Sequence, residues 1–99
     1  MFSVMRYYQG QTELGAEVKK HRQEVEKVIS AVPGFVAYFF IQNPDGIAAI
    51  TICETRKGCD ESNRVAAEWL QKNLPHLKAV PKVVTGEVAL SFDRIHTMV

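Results

Sequence analysis

Apolar and polar positions along this 99-residue chain fall into two periods, one of about two residues and one of about 3.6. Phe2 to Tyr8 is dense in aromatic and branched residues and stops at Gln9-Gly10-Gln11, which predicts a first strand closed by a loop. Thr12 has the chemistry of a helix cap, with Glu13 in the turn behind it. Leu14, Val18, Val25, Val28, Ile29 and Val32 then recur at helical spacing until Pro33-Gly34, so one amphipathic helix is predicted there. Its other face, with Glu17, Lys19, Lys20, Arg22, Gln23, Glu24, Glu26 and Lys27, reads as a solvated surface.

The next stretch is apolar on both faces. Phe35, Ala37, Phe39 and Ile41 alternate with Val36, Tyr38 and Phe40, and after the turn Asn43-Pro44-Asp45-Gly46 the chain continues as Ile47-Ala48-Ala49-Ile50-Thr51-Ile52-Cys53. This predicts an antiparallel hairpin over a type I turn, with Gly46 supplying a positive φ. Thr55 to Cys59 reads as a loop, and Asp60 as the cap of a second helix carrying Val65, Ala66, Trp69, Leu70 and Leu74 and ended by Pro75. Val84, Gly86, Val88, Leu90 and Phe92 alternate with Thr85, Glu87 and Ser91 in a last, half-buried strand, Gly86 marking a bulge.

Strand, helix, strand, strand, helix, strand is the split βαβ order, so the predicted class is α+β: one ferredoxin-like βαββαβ domain over 1–99 with an antiparallel four-stranded sheet. Right-handed crossovers put both helices on one side of that sheet. The other side then lacks cover within the chain. Leaving three or four large apolar side chains in water forfeits ~5–12 kcal/mol, comparable with the ~5–15 kcal/mol stability of a whole domain. The pattern therefore predicts a homodimer packed sheet on sheet.

Composition narrows the partners. Twelve Lys and Arg against eleven Asp and Glu, scattered along the chain, give a net charge of +1, with no basic footprint for nucleic acid or an anionic membrane. No apolar run approaches the ~20 residues that span a bilayer. Cys53 and Cys59 are too few for a disulfide framework, and free thiols point to the cytoplasm. A Gly-rich phosphate loop, a metal-spaced His or Cys cluster and a nucleophile elbow are all missing, so no cofactor and no metal are expected.

The run Val32-Pro33-Gly34-Phe35, followed by Val36-Ala37-Tyr38-Phe39, a turn and an apolar third strand, resembles the dimeric α/β barrel superfamily, in particular its antibiotic-biosynthesis monooxygenase-like members. The resemblance implies two sheets face to face, with a small-molecule cavity in each subunit between its helices and its own sheet. Such members commonly carry a Trp after the third strand and a His early in the second helix, where this chain reads Glu54-Thr55-Arg56-Lys57-Gly58-Cys59. Haem-degrading members place an Asn on the first strand; here Ser3, Arg6 and Gln9 are the polar residues.

Within that frame His21 lies in the middle of the first helix's apolar stripe, where an imidazole facing a cavity can act as general base; the alternative is a core histidine bonded to a backbone carbonyl. Arg6, Tyr38, Trp69 and His76 are candidate ligand-binding residues. Arg6 on an apolar strand needs a carboxylate, a ligand anion or a partner subunit, with Glu54 or Glu87 as the intramolecular choices. Because both faces of the second strand are apolar, strand parity leaves open which set lines the cavity. The expected function is small-molecule binding, as a cofactor-independent monooxygenase of a phenolic or enolic substrate, or as a non-catalytic ligand-binding or stress-response protein of the same fold.

Overall fold

In the computed structural model, which describes residues 1–94, the four strands are β1 (Phe2–Gln9), β2 (Phe35–Asn43), β3 (Gly46–Cys53) and β4 (Lys82–Glu87). They form one sheet in the order β2-β3-β1-β4, with antiparallel neighbours throughout. This is the predicted ferredoxin-like arrangement. The hairpin turn is held by Asn43, whose Oδ1 accepts from the amides of Asp45 (2.8 Å) and Gly46 (2.9 Å). Gly46 is required for space rather than for a positive φ: a Cβ there would lie 2.5 Å from the carbonyl oxygen of Tyr8 on the adjacent strand.

Side-chain alternation sorts the sheet into an inner and an outer face. Val4, Arg6 and Tyr8 of β1 and Ile47, Ala49, Thr51 and Cys53 of β3 are buried under the helices. On β2 a register shift between Phe35 and Ala37 marks a bulge at Val36, so Phe35 opposes Cys53 on the inner face instead of sharing a face with Phe39. The bulge predicted at Gly86 does not form; Gly86 stands in register opposite Ser3.

The helices cover the inner face. The predicted first helix is two, α1 (Thr12–Lys20) and α2 (Arg22–Ser30), joined at His21, whose backbone leaves helical geometry at φ −105° and ψ 26°. Thr12 lies inside α1, with Gln11 at the cap position and no side-chain cap bond. The second predicted helix, α3 (Arg56–Asn73), begins a turn before Asp60 because Thr55 caps it, its hydroxyl accepting from the Gly58 amide at 3.2 Å. A 3₁₀ turn at Pro75–Leu77 follows, and β4 ends at Glu87, so Leu90 and Phe92 lie beyond the strand at 80% and 91% exposure.

Among the described residues, no helix packs on the outer face. Registers place Phe39, Ile50, Met5 and Val84 side by side across all four strands, an unbroken apolar row with Phe39 41% and Val84 52% exposed. Ile41 and Val36 extend it along β2. Among the described residues no helix is long and apolar enough to cross a membrane.

Candidate small-molecule pocket

The inner face of the sheet is not filled completely. Between Arg6, Tyr8, Tyr38, Phe40 and Ala49 of the strands, Leu14, Val18, Val25, Val28 and Ile29 of α1 and α2, and Ala66, Trp69 and Leu70 of α3 lies an apolar cavity of about 40 Å³. That is room for one or two waters, since a water takes about 30 Å³ of liquid. A groove of about 690 Å³ between α2 and the edge strand β2 shares Val18, Val25, Ile29, Tyr38 and Phe40 with it. Cavity and groove thus share one wall, and the groove by itself is of the size that small ligands occupy.

Arg6 is the chemical centre of the cavity. It is only 2% exposed and is held by three neutral oxygens: Nη1 donates to Ser62 Oγ at 3.2 Å and to Asn63 Oδ1 at 3.0 Å, and Nη2 donates to Thr51 Oγ1 at 2.9 Å. Ser62 is itself oriented by donating to the Cys59 carbonyl at 2.7 Å. The expected intramolecular carboxylates do not reach it. Glu54 and Glu87 are exposed, β4 sets Val83 rather than Glu87 opposite Arg6, and among the described residues Arg6 has no ion pair. Lys20 pairs with Glu17, and Arg64 with Glu61 and Glu68, along helix surfaces.

Tyr8 and Tyr38 stand beside the guanidinium. Burial pushes both phenols above their ordinary range, an effect that the positive charge of Arg6 partly offsets, so both remain protonated near neutrality. Two buried side-chain nitrogens of the described residues have no acceptor, Arg6 Nε and Trp69 Nε1. Both belong to residues on the wall of this one cavity.

The structure thus brings together Arg6, Tyr38 and Trp69 of the predicted site residues. His21 and His76 are not on the cavity wall. His76 is exposed on the 3₁₀ turn. The break after Lys20 turns His21 to the α1–α2 joint, half-buried, where its ring meets Trp69 edge to face at 5.5 Å between centroids and 71°. Its Nδ1 is 2.9 Å from the carbonyl of Glu17, which only accepts, so Nδ1 carries the proton and Nε2 is the basic nitrogen of the neutral ring. Tyr8, one of the strand tyrosines whose phenols the sequence offers to a substrate, lies on the wall as well, whereas Thr51, Ser62 and Asn63 are not singled out by the sequence. For Ser62 a signal exists: it falls on the same helical stripe as Val65, Ala66 and Trp69. Among the described residues no cluster of three or more His, Cys, Asp or Glu could hold a metal ion.

No protein-family profile and no curated protein sequence matches the chain. Solved structures do. A candidate antibiotic biosynthesis monooxygenase from Nitrosomonas europaea superposes with a TM-score of 0.68 at 15% identity, covering 91% of this chain and 100% of that one. The chain shares the ferredoxin-like fold of that structure. Another structure with this fold, the ActVA-Orf6 monooxygenase of Streptomyces coelicolor in complex with nanaomycin D, gives a TM-score of 0.62 at 16% identity over 92% of this chain and 88% of that one. A dimeric ferredoxin-like protein from an uncultured marine organism gives 0.58 at 18% identity over 94% and 96%. At these identities the likeness is one of fold, and function has to be argued from the pocket itself.

Proposed function

We propose that this chain forms a sheet-on-sheet homodimer whose inner pocket binds a phenolic or enolic small molecule and oxygenates it with dioxygen, without a cofactor. The observation that carries the reading is the cavity wall on which Arg6 Nε and Trp69 Nε1 are buried without acceptors, beside a groove large enough for a ring system. Buried donors left unpaired cost roughly 1–3 kcal/mol each, and a ligand oxygen relieves that cost on binding. An activated phenol or enol that gives up a proton adds dioxygen at carbon, and loss of water from the resulting hydroperoxide leaves a carbonyl, the substrate itself supplying both electrons, so a shaped apolar pocket with a few polar groups suffices. The complex of the Streptomyces coelicolor monooxygenase with nanaomycin D supports such chemistry on this fold. We propose His21 as the base, reaching the substrate through a bridging water, because its ring packs on Trp69 and lines neither the cavity nor the groove. The apolar outer row supports the dimer, and free thiols at Cys53 and Cys59 support a cytoplasmic location.

Thermal-shift screening with hydroxylated naphthalenes and anthrones, followed by oxygen uptake on each binder, tests this. Binding is expected to stabilise the fold by about 2.7 kcal/mol at a hundred times Kd, and turnover to fall in His21→Phe while binding persists. Stabilisation without oxygen uptake overturns the oxygenase reading and leaves a binding protein; no stabilisation by any probe overturns both.

A further inference from the structure

The two unpaired nitrogens are both donors, and one belongs to a cation. Arg6 brings a permanent positive charge into a wall that is otherwise apolar, and its fixed bonds run to Thr51, Ser62 and Asn63, none of which returns a negative charge. Tyr8 and Tyr38, kept protonated by burial, add hydroxyls beside it. A set made of a guanidinium, an indole N–H and two phenols is complementary to an oxyanion with more than one acceptor oxygen. The cavity that these groups wall, about 40 Å³, has space for a group of that size and not for a ring. The ring must lie in the adjoining groove, between Val25 and Phe40.

From this we infer that the ligand is a carboxylic acid: its carboxylate enters the cavity and pairs with Arg6 and Trp69, and its apolar body fills the groove between α2 and β2. The inference rests on the pocket being a ligand site, and it adds the charge that the ligand must carry. Arg6 is then the specificity-determining residue, because a neutral isostere of the same shape leaves the buried cation uncompensated.

Calorimetric titration of the wild-type protein with hydroxynaphthoate and with its primary amide tests the inference without any substitution. The acid is expected to bind about 10- to 100-fold more tightly, the range for charge-assisted over neutral pairing. Arg6→Met is expected to bring that ratio to about one, and Trp69→Phe to weaken the acid about fivefold while the ring contact is kept. Equal affinity of acid and amide for the wild-type protein overturns the carboxylate assignment and leaves the pocket as a neutral-ligand site. Failure of both to bind overturns the pocket reading itself. Should Arg6→Met not fold, the wild-type comparison decides alone.

Discussion

A guanidinium buried without a carboxylate is unfavourable for stability, because desolvation is not repaid by an opposite charge. Arg6 is in that position, with only hydroxyl and amide oxygens around it. Arg6→Met removes the desolvated charge but leaves the fully buried Thr51 hydroxyl without its donor, so it should lower stability in urea by about 1–3 kcal/mol; a loss of about 3–5 kcal/mol, the cost of breaking a buried ion pair, would show that Arg6 has a charged partner in the fold. Cys53 makes a second prediction at this scale. Burial, and then the neighbouring Cys59 thiol, raise its pKa from 9.0 to about 11. A folded-state pKa above the unfolded one means that the folded form holds the proton more tightly, so its contribution is complete below pH 9 and disappears as pH rises toward 11. Urea midpoints should be level near neutrality and fall through that alkaline window, with a shallower fall in Cys53→Ala; identical profiles for the two proteins would contradict the assignment.

At the scale of elements, what the sequence made legible and what it hid have separate physical causes. The strands and their order follow from alternation and turn chemistry, which are local, and Phe2–Gln9, the hairpin and the Pro33-Gly34 corner all form where the pattern puts them. Gly34 at φ +79° is the left-handed residue that closes that corner. The break at His21 was hidden because the spacing from Val18 to Val25 is two full turns, as in an unbroken helix, and no Gly or Pro marks it. Gly58 misled in the opposite sense, reading as a loop residue although it lies in the first turn of α3. Its absence of side chain serves packing: a Cβ there would lie 2.8 Å from the Pro33 carbonyl oxygen and 2.9 Å from Cys53 Cβ. Gly58→Ala should therefore push α3 off the sheet and cost about 1–3 kcal/mol, measured as a lowered urea midpoint; an unchanged or raised midpoint would mean that α3 docks less tightly than this geometry requires. The site was legible in residue type at Arg6, Tyr38 and Trp69, and not in arrangement. Which face of β2 meets the helices depends on the Val36 bulge, a tertiary feature that two apolar faces cannot signal.

For the whole molecule, one face of the sheet makes the pocket and the other asks for a partner. The row Phe39, Ile50, Met5 and Val84, extended by Ile41, is larger than single exposed apolar residues of the kind any surface carries. Light scattering at micromolar concentration should give a mass near 22 kDa, twice the 11.1 kDa of one chain, and Phe39→Arg should halve it without unfolding the helices. A folded wild-type monomer would contradict the dimer and leave the inner pocket untouched, since no residue of the outer row lines it. The central claim is that the inner cavity receives a ligand, and the chain carries its own reporter for it, because Trp69 is the sole tryptophan and stands on the cavity wall. The most direct measurement is a titration of Trp69 fluorescence with hydroxynaphthoate: the account predicts a saturable change in emission whose midpoint moves about 10- to 100-fold higher in Arg6→Met, and an emission that stays constant at concentrations where calorimetry detects binding would place the ligand elsewhere and contradict it.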